Sequence, residues 1–246
     1  MKNSSKIYVF CIIDSNNINS ISLPCGFENN SIYCIPLNDI GIVVCNFSDK
    51  ISDVKRGVLL HENIIELLMS SFTVLPMKFQ TAFSSHEKTL SELFKLYNNF
   101  KENLVRLTDK FEFGIKVLWP VDNIEENLLK NIKATETSVI SGISPAKDYL
   151  RKRYMNYRIK EMLKQKAKIL VDEMDEYFTD IAIEKKLKIL QTDKLLVNAA
   201  YLVDKTQKDK IHIIFKRLKK DFNDLEFLFS GPWPPYNFIK KKRTED

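Results

Sequence analysis

Only six glycines and three histidines occur in the 246 residues, and both shortages exclude chemistry. Loops that cradle phosphates need clustered glycines; no GxGxxG or Walker-type loop is present, nor a GxSxG nucleophile elbow. His61, His86 and His212 are scattered along the chain. His61 opens the run HENII, which lacks the second histidine that a zinc-protease helix carries one turn later. The four cysteines, Cys11, Cys25, Cys34 and Cys45, form no CxxC pair. Three of them sit in apolar runs where a small hydrophobe fits, so reduced, buried thiols are expected instead of disulfides or a metal site. No apolar run approaches the ~18 residues of a membrane span. The apolar stretch at 7–13 is short, ends at Asp14 and has no small-residue cleavage site, so it reads as a first strand and not as a signal peptide. A soluble, cytosolic chain is expected, in which the Asn-x-Ser sites at Asn3, Asn29 and Asn46 are chance matches. The carboxylates Asp172, Glu173, Asp175 and Glu176 lie near Lys166 and Lys168 and read as a solvated helix face with local ion pairs. No catalytic, cofactor or metal residues are therefore assigned, and no small-molecule substrate; the chain reads as a non-enzyme.

What is present is ordinary globular composition, 44% hydrophobic, 28% charged and 11% aromatic, in a length suited to two modest domains. The formal charge of +6 is uneven. Residues 1–108 carry ten Lys/Arg and ten Asp/Glu, whereas 144–220 carry twenty Lys/Arg against eleven Asp/Glu. Any attraction for an acidic partner lies in the second half.

The hydrophobic pattern predicts a strand at 6–13, then a hairpin at 31–37 and 40–47 turning at Asn38-Asp39. Leu60, Ile64, Leu67, Leu68 and Phe72 mark an amphipathic helix over 58–71. An extended segment at 72–83 contains Pro76, which argues for an edge or a bend. Ser84 or Ser85 caps a helix expected to run to about 108. A strand at 111–119 stops at Pro120. Residues 121–144 are polar, and a long helix then runs from Pro145 to about 180. Strands at 181–190 and 195–203, a helix at 206–221 and a strand at 224–229 complete the order.

From these elements the fold class is α+β with two domains. Residues 1–108 form a smaller N-terminal α+β domain. Residues 109–230 read β-α-β-β-α-β, the ferredoxin-like order with a long first helix, and 231–246 form a Pro/aromatic and basic C-terminal tail. RNA-recognition modules share that order, which makes an RNA-binding module using the basic C-terminal half the alternative function. Such modules present aromatics on inner strands within a Gly- and Phe-rich motif. The inner strands here offer Tyr201 and no such motif, so nucleic acid is disfavoured as a partner.

Three segments remain. The first is His61-Glu62 through Thr73-Val-Leu-Pro-Met-Lys-Phe-Gln-Thr-Ala-Phe83. The second is Phe111-Glu-Phe-Gly-Ile-Lys-Val-Leu-Trp119, and the third Gly231-Pro-Trp-Pro-Pro-Tyr-Asn-Phe238. In this order and spacing the chain resembles the gas vesicle protein F/L family, whose pattern is a helix opening with His, an LP-x-[RK]-F-G-T-x-F segment, an E-x-G-x-[KR] strand and a terminal G-P-W-P-P-Y-x-F. Gln80 stands where the family usually has glycine, which suggests that glycine's backbone freedom is not needed there. Lys78 stands at a position where arginine is common.

The resemblance implies an accessory or minor structural protein of gas vesicle assembly, cytoplasmic or on the vesicle. Its implied partners are the hydrophobic shell subunit and other gas vesicle accessory proteins, with no cofactor and no membrane. Pro76, Phe79, Trp233, Pro235, Tyr236 and Phe238 are the candidate residues for partner binding or domain stapling. The prolines stiffen the tail along a polyproline-like path, and the aromatics supply apolar area at low entropy cost.

Overall fold

A computed structural model describes residues 6–48, 51, 53–135, 145–190 and 192–240. The chain divides into two compact units, Met1–Glu112 with Pro232–Asp246, and Phe113–Gly231. Both are mixed α/β, and each is built on an antiparallel sheet.

The first unit is organised around β1 (Lys6–Ile13), which is apolar throughout after Lys6 and buried on both faces. It pairs with β3 (Ile40–Phe47), and β2 (Ile32–Leu37) closes that side as a hairpin, register Leu37 opposite Ile40. Asn38 at the turn takes a left-handed φ of 57°, a conformation asparagine tolerates better than most residues. The other side of β1 is an interrupted edge. Here β4 (Val74–Pro76) pairs with Cys11–Ile13 and β5 (Ala82–Phe83) with Ile7 and Tyr8.

The β1–β3 register slips between Val9 and Cys11. This bulge puts the consecutive residues Phe10 and Cys11 into one core cluster with Tyr8, Val43, Cys45 and Phe47; an unbulged strand would send neighbours to opposite faces. Ile64, Ile65 and Leu68 of α1 (Val54–Met69) join the same cluster. Asp53 caps α1 by accepting from the Arg56 amide at 3.0 Å. All four cysteines are free: Cys11 and Cys45 are buried, Cys34 half-buried and Cys25 exposed. Burial pushes the Cys34 and Cys45 thiols up to about 11, which makes them unreactive apolar fillers.

The single helix expected over 84–108 is instead two, α2 (His86–Phe94) and α3 (Tyr97–Leu107). Leu96 leaves helical geometry at φ −104°, ψ 4°. Leu93 and Phe100 are buried on either side of the break, while Phe94 and Leu96 face solvent. Lys95 and Leu96 at the break both form helix readily, so periodicity carries no trace of it. Ser85 caps α2 through the Lys88 amide.

The second unit contains most of β6 (Lys110–Leu118), then α4 (Val121–Thr135), α5 (Pro145–Glu176), β7 (Ala182–Ile189), β8 (Leu195–Asp204), α6 (Lys208–Asp221) and most of β9 (Glu226–Trp233). The sheet order is β7-β8-β6-β9. The polar stretch 121–144 thus contains a helix that composition hid. Val121 and Ile132 of α4 are buried, and Pro120 opens it, its carbonyl accepting from the Ile124 amide. Residues 136–144 lie outside the described residues. In the core, Phe229 stacks on Phe215 at 4.6 Å and on Phe113 at 5.7 Å, with His212 edge-on at 5.0 Å.

A second correction concerns α5. Asp172, Glu173 and Glu176 are exposed, but Asp175 is buried. It accepts from the Tyr201 hydroxyl at 3.1 Å and pairs with Lys185. A carboxylate in the last turn of the helix, where the sequence pattern predicts a solvated face, is thus an internal acceptor. Tyr201 is only 3% exposed and stacks on Phe178 at 4.5 Å, so it is not displayed for base stacking.

Candidate interaction site

Two constellations on the first unit gather the motif residues. The first is the gap in the β1 edge. The chain leaves β1 after Met77, whose amide donates to Phe10 O, and returns at Thr81, whose carbonyl accepts from the Val9 amide, both at 2.9 Å. The excursion is closed by the Thr81 amide and hydroxyl donating to Lys78 O. Gln80 makes the turn with φ 69°. Glycine's freedom is therefore needed at this position after all, and glutamine occupies the left-handed region at a steric cost of about 1 kcal/mol.

That cost is offset by a buried polar chain. The Gln80 amide donates to the Tyr8 hydroxyl at 3.1 Å, and Tyr8 in turn donates to His61 Nδ1 at 2.9 Å. His61 Nε2 then donates to Met77 O at 3.2 Å. This direction requires His61 to be neutral, and burial holds it below its usual range in spite of the Met77 carbonyl. Tyr8 is pushed well above its ordinary value, chiefly by burial. His61 thus acts as a structural bridge from α1 to the edge loop. Phe79 completes the arrangement, its ring 5.9 Å from that of His61. It fits because α1 carries Gly57: a Cβ there would lie 3.2 Å from the Phe79 ring and 2.6 Å from Ile51. Pro76 is buried in β4 opposite Cys11, at an edge where a missing amide is tolerated.

The second constellation is the tail. Its first residues extend β9 to Trp233, so Gly231-Pro232-Trp233 is strand and not a polyproline path. Gly231 takes φ 113°, a region that disfavours any side chain. A tight turn follows, in which the Tyr236 amide donates to Pro234 O at 2.7 Å and the Phe238 amide to Pro235 O at 3.0 Å. Phe238 is 1% exposed and Pro234 and Pro235 are buried; burying the phenylalanine alone is worth about 2–3 kcal/mol.

Polar groups then take up the tail backbone. Glu112 accepts from the Asn237 amide at 2.8 Å and from the Asn237 side chain. Arg106 donates to Phe238 O. Asn103 accepts from the Lys240 amide at 2.8 Å and donates to the Lys240 carbonyl at 2.9 Å. Glu112 and Asn103 are themselves buried. A buried carboxylate holding a peptide amide is among the stronger hydrogen bonds a protein makes.

Of the six candidate residues, the structure buries Pro76, Pro235 and Phe238, half-buries Phe79 and Trp233, and leaves Tyr236 41% exposed. The Tyr236 phenol is held above its usual range, first by partial burial and then by the charges of Glu62, Cys11, Glu112 and Glu66. Sequence reasoning missed Asn103 and Arg106, two polar residues at i and i+3 with no signal beyond that spacing. It also missed Glu112, although the E-x-G-x-[KR] pattern contains it. Gly114 of that pattern is close to β9: a Cβ there would lie 2.7 Å from Ser230 Oγ.

Comparison with known proteins matches the same segments. The family model described as gas vesicle synthesis protein GvpL/GvpF matches residues 6–240. Gas vesicle protein L1 of Halobacterium salinarum is 24% identical over 259 aligned residues, covering 94% of this chain and 89% of that protein. Gas vesicle protein F of a Streptomyces species is 21% identical, covering 82% of this chain and 84% of its own. The crystal structure of GvpF from Anabaena shares the fold with a TM-score of 0.81 at 17% identity, covering 98% of this chain and 100% of that one. With its motif residues placed and a match from one end of the described chain to the other, the protein belongs to the GvpL/GvpF family of gas vesicle synthesis proteins.

Proposed function

We propose that this chain acts in gas vesicle formation as a non-enzymatic accessory protein that binds the shell subunit and other gas vesicle proteins during assembly. The observation that carries this is the family match over residues 6–240. The geometry supports it, because the buried polar groups of the motifs are engaged with the protein's own backbone. His61, Tyr8, Asn103 and Glu112 each position a segment. A shell subunit rich in apolar surface risks aggregation before assembly, and a soluble partner that covers it removes the hazard. Trp233 and Tyr236 keep accessible aromatic area beside the anchored Phe238 and are the tail residues assigned to partner contact. The neighbour order β7-β8-β6-β9 supports a ferredoxin-like assignment for the second unit. Among the described residues no helix is long and apolar enough to cross a membrane, in keeping with action in the cytoplasm or on the vesicle.

Deletion of the gene in a vesicle-forming host, scored by electron microscopy, is the direct test. Loss of vesicles, restored by the wild type and not by Trp233→Ala, is expected; normal vesicles in the deletion strain would remove the assembly role.

A further inference from the structure

Helix α5 has two halves of different character. From Ile159 onward a ladder of Ile159, Leu163, Ala167, Val171 and Met174 is buried, at the spacing of three and four that seats a helix on a core. Before Ile159 no described side chain of the helix is buried. Yet this part is not polar: Tyr149, Leu150, Tyr154 and Tyr157 are between 58% and 63% exposed. Leu150, Tyr154 and Tyr157 fall at i, i+4 and i+7, which places them in one stripe. At 100° per residue that stripe lies roughly 150° around the helix from the buried ladder, so it cannot be an extension of the core face. Arg158 lies over the Tyr154 ring at 5.9 Å.

The stripe is set in basic sequence. Residues 145–160 hold six Lys/Arg, namely Lys147, Arg151, Lys152, Arg153, Arg158 and Lys160, against the single acidic Asp148, a balance of +5. Solubility does not call for three large apolar or aromatic side chains on one exposed line, and tyrosine with arginine is the pairing enriched where protein interfaces concentrate binding energy.

Resting on the accessory-protein assignment above, we propose that the stripe Leu150–Tyr154–Tyr157 with its flanking arginines is a docking site for an acidic, amphipathic helix of another gas vesicle protein. Charge complementarity selects the occupant. A second copy of this chain would set a +5 segment against another, which like-charge repulsion disfavours. A straight apolar line at i, i+4 and i+7 matches the seam of a facing helix. Single-stranded nucleic acid is held in a groove that tracks its backbone, whereas this stripe lies on an exposed face of one helix.

The test uses the full-length chain as wild type, as Leu150→Ser/Tyr154→Ser/Tyr157→Ser, and as Arg153→Glu/Arg158→Glu. Each is co-expressed with the tagged shell subunit and, one at a time, with the host's other gas vesicle proteins. At least one acidic partner is expected to bind the wild type, with affinity falling as salt rises. Both variants should weaken that partner by about tenfold or more at unchanged melting temperature. A partner that binds all three forms equally overturns the docking site and leaves the accessory role standing. A wild type that holds no gas vesicle protein defeats the accessory role and this site with it. Variant-sensitive retention of nucleic acid, or a variant-sensitive dimer, also overturns the proposal by naming a different occupant.

Discussion

The tail at 231–240 and the first half of α5 look alike as sequence, both short, aromatic and near lysine or arginine, but their surroundings treat them in opposite ways. The tail has its backbone taken up by Asn103, Arg106 and Glu112 and its last aromatic side chain sunk into the first unit. The α5 segment meets its hydrogen-bonding needs within the helix and leaves its tyrosines in solvent. Aromatic content therefore does not say whether a segment is an internal anchor or a docking surface. What decides is whether other elements supply partners for its backbone. An irregular segment such as the tail needs those partners, and burial is costly without them, whereas a helix needs none.

The sharpest break in this contrast is Phe238→Ala. It should destabilise the first unit by about 3–5 kcal/mol, read as a lower denaturant midpoint. A change near zero would mean that the tail is not an anchor.

Glu112→Ala comes next. It removes the acceptor from the Asn237 amide and side chain and should cost about 1.5–3 kcal/mol. Cleavage within 232–240 by limited proteolysis should appear in this variant and not in the wild type.

His61 tests the edge loop through pH. Its folded-state pKa is depressed by burial, so the unfolded chain takes up the proton first. The stability of the wild type is then complete above the ordinary histidine range and is lost as pH falls through that range toward the folded-state value. His61→Gln should lower stability at pH 8 and flatten that slope in urea titrations from pH 8 to 5; an unchanged slope would show that some other group titrates there.

Gln80→Gly should be mildly stabilising, by about 0.5 kcal/mol or less, because relief of the left-handed strain slightly outweighs glycine's extra entropy when unfolded. A loss of stability would mean that the Gln80 side chain makes contacts that matter more than its backbone.

The smallest expected effect is on the other side of the comparison. The triple serine variant of α5 should change stability by less than about 0.5 kcal/mol per site while binding is lost. Unfolding of the helix on that substitution would place the stripe with the tail, as structure.

Much of the fold was legible where one local rule governed. The hairpin was readable at Asn38-Asp39, since only a few residue types accept its backbone angles. The edge character of 72–83 followed from Pro76, and the helix of the first motif from its apolar spacing. The break at Lys95-Leu96 and the helix at 121–135 were not legible, because the first involves residues that all favour helix and the second hides its apolar positions among polar ones. Within the candidate site, the aromatics and prolines stood out by type. Asn103, Arg106 and Glu112 did not, since their role depends on a tail more than 120 residues away in the chain.

The sequence by itself determined the class of the protein, the positions of most strands and helices, and the family, through motifs whose residue types are unusual enough to identify it. Only the tertiary structure put Gln80 in a left-handed turn, set His61 between Tyr8 and Met77 where burial favours its neutral form, and anchored one aromatic segment through Phe238 while displaying another. The physical reason is the range over which each feature is set. Backbone angles and amphipathic periods are fixed by neighbours a few residues apart, whereas burial, protonation and backbone capture depend on groups that meet only when the chain has folded.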